Sequence, residues 1–559
     1  MAVAVALALV SAAVLWPLLT SRVWPPSHDD ARYAILLDHF RDVFTAGHWY
    51  PRWLPNLNGG YGYPTFVFYQ PGFFFFSLPF TLLPGYPDST FRAVVWTLFV
   101  LGALGTYRLC REFSDWTTAF WCSVLFLCTP YLYVELYVRN DLSELTAMLA
   151  CPWVLLYGFR IDRLVREGRS PAGAMGGLAC ALAFIVYAHP AVALFAVPTF
   201  GLAFAYHAWS GTWADRRRVL VDTGCAFAGG LLLSAPYWVA VFEMQQWVDM
   251  SRVATDYFLP ASHVVYWRQF FSNAWDFGRS VPASDQDTMS FQLGAPHFAF
   301  ALVGAVLAFR SRAIRACFLA YVALLIVMSP LGRMLWALPV ESLRQIQFPW
   351  RLLAITASLQ AACAAGWSRS KRLRWSLPIL VLAAAWLWNR PMFFPRDGSS
   401  SLAEELHRQR ALDLTTAQRY AAVGEFRPLT ATPDPRERRA EPLVAWSGAP
   451  LVPLPQDTPS HMRYRRADTS ETTDATIHQL YLPGWRVAID GRPIPREVLE
   501  STLTADGDMT VRMRPGARDL EAYYDGPPGW RLRAVLCALG LAAFLTLCIR
   551  EQRRAARTS

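Results

Sequence analysis

Apolar runs of about 17 to 25 residues, each long enough to span a bilayer, recur along this chain between Arg-rich or Pro-rich breaks. Reading them by length and periodicity predicts about twelve crossings. The first, Ala2 to Leu19, has no basic residue before it and no small-x-small cleavage pattern at its end. It is therefore expected to stay as a helix instead of leaving as a signal peptide. Phe66 to Leu83 is also apolar enough to cross, but a crossing there would reverse the side of every basic cluster after it. A re-entrant or interfacial segment is expected instead. From 390 to 531 no spanning run occurs. The second half of this stretch alternates with period two around Asp490-Gly491, a two-residue hairpin signal, and Met509 to Met513 and Leu520 to Tyr524 read as further strands. Its first half, with Pro428, Pro433, Pro435, Pro450, Pro453 and Pro455, reads as loop.

Composition sharpens this picture. Only 17% of the 559 residues are charged, against about 25% in soluble proteins. The 52 basic residues, of which Lys371 is the sole lysine, outnumber 42 acidic ones, but they sit in short clusters between apolar runs. Such clusters mark the cytoplasmic ends of spanning helices, and nucleic acid is excluded as a partner. Arg108 and Arg111, Arg160 to Arg169, Arg216 to Arg218, Arg310 to Arg315, Arg369 to Arg374 and the tail from Arg550 to Arg557 all fit one face. Residues 20–65, 136–142, the surroundings of His189, 243–295, 331–350 and 390–531 then lie outside. The ten cysteines lie in or beside apolar runs and suggest neither a disulfide framework nor a zinc site. The expected fold class is a mainly α, polytopic helical membrane protein. Residues 1–389 form its transmembrane domain, 390–531 an extracytoplasmic domain that is β-rich in its second half, and 532–559 a last transmembrane helix with a basic cytoplasmic tail.

The first outer loop, 20–65, carries the densest candidate chemistry. Ser27 with Asp30 three residues on resembles a capping box, and Gly47 is a natural stop. Tyr33, Leu36, Leu37, Phe40, Val43 and Phe44 keep helical spacing, which predicts an amphipathic helix lying on the membrane. His28, Asp29 and Asp30 stand at its start. The spacing leaves two readings: both aspartates cap a helix and answer its dipole, or one is a general base for an acceptor hydroxyl. The aromatic stretch Trp49 to Phe76 is expected to form an interfacial belt, with one or two rings free to stack on a sugar.

Further candidates lie in other outer segments. Arg139, Asp141 and Glu144 gather where a helix re-enters the membrane, either as a loop-closing ion pair or as an acceptor contact. His189 precedes Pro190 at a tight turn, as a loop histidine or a phosphate donor. Arg333, Arg344 and Arg351 run against the positive-inside trend; they either snorkel to headgroups or hold a phosphate, for which guanidinium forks are suited. The acidic residues of loop 243–295 are too dispersed to rank, and this loop is expected to cap the cavity.

The stretch from His28 to Ala34, followed by Asn56-Leu57-Asn58-Gly59-Gly60-Tyr61-Gly62-Tyr63-Pro64, resembles the first outer loop of polytopic bacterial glycosyltransferases of the GT-C type. The whole chain resembles bacterial membrane proteins catalogued as related to 6-pyruvoyl-tetrahydropterin synthase, through that loop, Arg139 to Glu144, His189-Pro190 and Gln347-Phe348-Pro349-Trp350-Arg351. Tyr481 to Trp485 with Asp490-Gly491 resembles the C-terminal β region of related large proteins. Asn140 departs from the pattern, standing where glycine is expected. The resemblance implies a GT-C-like fold in a bacterial inner membrane and inverting transfer of a sugar from a polyprenyl-phosphate donor to a glycan, lipid or protein acceptor outside the cytoplasm. By position the catalytic carboxylate maps to Asp29. Asp30 would assist it or join it in binding a divalent metal, whose use varies across that superfamily; no other cofactor is implied. His28, Arg139, Asp141, Glu144, His189, Arg344 and Arg351 are then candidates for substrate binding. Two other functions fit the same pattern: a lipid or glycan transporter or flippase, and a non-catalytic scaffold that binds glycans.

Overall fold

The computed structural model describes residues 1–29, 31–209, 212–251, 256–344, 346–412, 426–431, 442–455 and 458–558. The chain is mainly helical up to residue 412 and builds a β unit from 444 to 524. Among the described residues five helices are long and apolar enough to cross a membrane: Asp88–Arg111, Leu142–Arg166, Pro190–Ala208, Trp213–Trp247 and Trp530–Arg550. Two bent pairs, Trp116–Leu127 with Pro130–Arg139 and Arg312–Met328 with Pro330–Trp336, bring the number to seven. The count of about twelve drawn from apolar runs is not reached by such helices, because several runs fold as shorter pieces. Ala2 to Leu19 breaks at Leu15 into Ala2–Val14 and Trp16–Thr20, with Pro17 opening the second piece. The apolar run after Phe66 also breaks, and its helical part, Gly72–Leu82, extends only about 17 Å against the roughly 30 Å of a bilayer core.

The long helices alternate in direction. Leu142–Arg166 runs from Asp141 down to Arg163 and Arg166, Ala172–Ala188 returns to His189, Pro190–Ala208 descends to His207, and Trp213–Met244 rises from Arg216 to Gln245. One end of the bundle thus collects the arginine clusters, and the other collects Asp141, His189 and Gln245.

The first-loop helix is Arg32–Thr45. It starts later than the capping-box spacing suggests: Ala31 stands at its N-cap and supplies no side-chain bond. Gly47, with φ at +98°, follows its end as expected. This helix does not lie on the membrane. Tyr33 to Phe40 are all buried, and its polar side is satisfied inside the protein, where Asp38 accepts from Arg41 Nη2 (2.9 Å) and Tyr86 Oη (3.3 Å). The aromatic stretch is corrected likewise. Trp53, Tyr61, Tyr63, Phe66 and Phe68 are buried in protein, whereas Trp49 is exposed, at 81%.

Much of that burial comes from the β unit. Two antiparallel sheets, β1 (Val444–Ser447), β4 (Thr473–Leu480) and β7 (Asp508–Met513) in one, and β2 (Leu451–Pro453), β3 (His461–Arg466), β8 (Asp519–Tyr524), β5 (Trp485–Ile489) and β6 (Arg492–Pro493) in the other, enclose a shared apolar core. The expected hairpin joins β5 to β6. Asp490 and Gly491 both take positive φ, 49° and 74°, as a type I′ turn requires. Trp53 and Tyr61 of the first outer loop, with Val67 and Phe68 just after it, complete the core. Trp53 Nε1 donates to Gln479 Oε1 (2.7 Å) and Leu480 N–H to the Tyr61 carbonyl (2.7 Å). Gly62, at φ +72°, lies against this junction, and an added Cβ would collide with Trp53 Nε1 and Gln479 Oε1. Gly62→Ala is therefore expected to loosen the β unit at a cost above about 1–2 kcal/mol, read as faster limited proteolysis between 390 and 530.

Candidate functional site

The buried anchor of the site is the helical turn Val134–Arg139, which is wound more loosely than an α-helix, with a π-type pattern. Such turns cluster at functional sites because they displace side chains from regular spacing. The chain then reverses at Asn140, whose φ is +56°. This left-handed conformation explains the departure from the expected glycine: asparagine tolerates it better than most residues. Asp141 next caps Leu142–Arg166, accepting from the Glu144 amide (3.0 Å).

This geometry brings five ionisable side chains together. Arg139 Nη1 lies 2.6 Å from Glu135 Oε2 and 2.7 Å from Glu144 Oε2, and its Nη2 is 3.1 Å from Asp141 Oδ2. Arg351 Nε is 3.2 Å from Glu144 Oε2. Tyr131 Oη donates to the other Glu144 oxygen (2.6 Å), and Tyr33 Oη donates to Asp141 Oδ1 (2.8 Å). Trp350 covers Arg139 with its ring, 4.7 Å from the guanidinium carbon. Glu135 and Glu144 are fully buried. Burial by itself would raise the Asp141 pKa, but Arg139 foremost, with Arg351, outweighs it and holds the carboxyl well below its usual range.

His28 and Asp29 dock onto this turn through their backbones. His28 N–H donates to the Val138 carbonyl (2.9 Å) and Asp29 N–H to the Arg139 carbonyl (3.0 Å). The His28 ring meets the Gly278 carbonyl at 3.0 Å through Nε2, so Nε2 carries the proton. Burial first, then Arg139 and Arg279, lower its pKa, which keeps the ring neutral. The Asp29 carboxylate is 30% exposed and lies 3.7 Å from Arg32 Nη1.

A cavity of about 1070 Å³ opens above these groups, lined by His28, Asp29, Arg139, Asp141, His189 and Arg351 among others. Glu144 sits behind its wall. The loop 243–295 contributes Tyr257, Phe258, Arg279 and Met289 to the lining. Arg344 is not brought in: it is exposed at the end of a short turn and absent from the lining. Arg333 is exposed as well, 3.4 Å from Tyr266 Oη. Asp30 lies outside the described residues. Glu135 was not among the expected residues, although a lone carboxylate in the apolar run Tyr131 to Val138, four before Arg139, is a readable signal. Arg279 carries no such signal.

Asp141, Glu144 and His189 each offer one atom within 4.8 Å of the others, a spacing a metal ion could close. The donor set does not fit one. Both carboxylates already meet guanidinium groups. His189 accepts the Val192 N–H at Nδ1 (3.3 Å), and burial lowers its pKa against the pull of Glu144 and Asp141. The neutral ring therefore carries its proton on Nε2, the nitrogen facing the carboxylates at 3.9 and 3.8 Å.

No family model matches the chain, and no curated protein matches it, so the finer resemblance to the synthase-related membrane proteins finds no support. Among solved structures, the apo oligosaccharyltransferase of Archaeoglobus fulgidus is similar with a TM-score of 0.46 and 14% identity, over 76% of this chain and 59% of that one. This chain thus covers under two thirds of the archaeal protein. ArnT from Cupriavidus metallidurans is similar in its apo state, with a TM-score of 0.43, 14% identity and coverage of 75% and 74%. The same protein bound to undecaprenyl phosphate gives a TM-score of 0.39, 15% identity and coverage of 76% and 74%.

Proposed function

We propose that this chain is an integral-membrane glycosyltransferase of the GT-C type that moves a sugar from a polyprenyl-phosphate donor to an acceptor hydroxyl outside the cytoplasm. The observation that carries the reading is the mixed lining of the cavity. Asp29, Arg32, Arg139, Arg279 and Arg351 give it a charged part, and Val186, Leu194, Val197, Leu231, Trp238 and Phe242, on the helices Ala172–Ala188, Pro190–Ala208 and Trp213–Met244, give it an apolar one. Leu194, Leu231 and Phe242 are 44%, 40% and 59% exposed, so the apolar part reaches the flank of the bundle that faces lipid. Such a lining suits a substrate with a phosphate head and an isoprenoid tail. The arginine clusters occupy the opposite end of the helices, which by the positive-inside rule supports a cavity on the outer face.

In this mechanism the acceptor oxygen attacks the anomeric carbon as the carbon–oxygen bond to phosphate breaks. Polyprenyl phosphate leaves with the electron pair, and Asp29 receives the hydroxyl proton. Guanidinium groups of the charged part, Arg351 foremost, offset the charge growing on the phosphate. The direct test is transfer of labelled sugar from a panel of polyprenyl-phosphate donors by the purified protein in nanodiscs. An inverted anomeric product supports the reading; transbilayer movement of donor without transfer replaces it with a flippase. The same assay separates the arginines. Arg351→Gln is expected to raise the donor KM at least about 10-fold, whereas Arg344→Gln should stay within about 2-fold of wild type.

A further inference from the structure

The buried ion cluster lies beneath the cavity and has more carboxylates than substrate contact requires. Glu135 is fully buried, is absent from the cavity lining, and meets Arg139 Nη1 with both oxygens at 2.6 Å. It cannot reach a substrate past that guanidinium. A buried ionic network is a costly way to stabilise a fold, and here it has a mechanical output. The side chain of Arg139 is clamped by Glu135, Asp141 and Glu144 on the bundle side, while the carbonyls of Val138 and Arg139 receive the amides of His28 and Asp29 on the cavity side. Tyr33, four residues after Asp29 in sequence, is tied to the same cluster through Asp141 (2.8 Å). The segment carrying Asp29 is thus held at two points by one network.

Resting on the function proposed above, we infer that Glu135 and Arg139 are positioning residues that set the place of Asp29 through the main chain of the turn Val134–Arg139. Removing one of the carboxyl groups that grip Arg139 slackens the clamp, lets the turn relax toward regular helical pitch and shifts the two acceptor carbonyls. A displacement near 1 Å at a reacting group costs on the order of 100-fold in rate.

The experiment pairs hydrogen–deuterium exchange with kinetics on the full-length protein in nanodiscs, comparing wild type, Glu135→Gln and Glu135→Asp. In Glu135→Gln the amides of residues 28 and 29 are expected to exchange about 10-fold faster, with strands β5 and β8 unchanged. The kcat is expected to fall about 10- to 100-fold with donor KM within about 2-fold, and Glu135→Asp, which keeps the carboxyl group, should recover part of both. Unchanged exchange at 28 and 29 in folded Glu135→Gln overturns the inference whatever happens to kcat, as does faster exchange with full kcat. The exchange readout needs no turnover, so a wild type that transfers no sugar sinks the functional reading while exchange still decides the positioning. If Glu135→Gln does not fold, Tyr33→Phe, which removes one tether without touching a charge, gives the same comparison with a smaller effect. No acceleration at 28 and 29 in that variant overturns the inference.

Discussion

Asp29→Asn is expected to cut sugar transfer at least about 100-fold while leaving donor binding and protein levels near wild type. Asparagine keeps the size of the side chain and loses only the ability to take a proton. The bond that seats this residue comes from its backbone amide to the Arg139 carbonyl, which the substitution spares. Its ion pair with Arg32 spans 3.7 Å at a partly exposed site, and such pairs contribute under about 1 kcal/mol. A loss of transfer can therefore be assigned to chemistry once size-exclusion profiles match. Equal activity in the variant would remove Asp29 as the base and pass the role to His28, the neighbouring neutral imidazole on the same wall.

The parts of this molecule that were legible in the sequence are those settled by local backbone demands. Asp490-Gly491 is a type I′ turn because two successive positive φ values leave few alternatives, and the strands on both sides follow from period-two alternation. Asn140 reads from the sequence only as a departure from glycine, and its φ of +56° shows why asparagine can stand there. The errors share a different cause. Periodicity shows that one face of Arg32–Thr45 is apolar, but not what covers the other, and Asp38 with Arg41 and Tyr86 forms a polar contact inside the protein that a membrane-surface helix would have left to water. The aromatic rings from Trp53 to Phe68 suit a headgroup layer and a protein core equally; the partner that decides, Gln479 with its β unit, is more than 400 residues away in sequence. The arginines show the same limit. Charge against the topological trend singled out Arg333, Arg344 and Arg351 alike, yet only Arg351 turns inward, because the short helical turn Pro349–Leu352 points it at Glu144.

Arg139→Met is expected to be the most damaging single change to stability. Arg139 is the shared partner of Glu135, Asp141 and Glu144, all three under 7% exposed. Without it, Arg351 still faces Glu144, but Glu135, fully buried and away from the cavity lining, loses the guanidinium that meets it at 2.6 Å. Stranding one buried charge costs about 3–5 kcal/mol, a large share of the 5–15 kcal/mol that typically separates folded from unfolded domains. The methionine would also forfeit the cation–π contact with Trp350 at 4.7 Å. Low accumulation and a lowered melting point by fluorescence-detected size exclusion are the expected readouts. The double variant Arg139→Met with Glu135→Met separates charge from shape. It deletes the guanidinium together with the buried carboxyl group that grips it, so neither is left without the other, and it should recover about 1–3 kcal/mol relative to the sum of the single variants. Recovery of stability without recovery of protection at residues 28 and 29 is the result that distinguishes a cluster built to hold Asp29 from one that merely balances charge. A single variant that melts with wild type would show that the carboxylates find other cations or protons, and that the guanidinium is not what holds them.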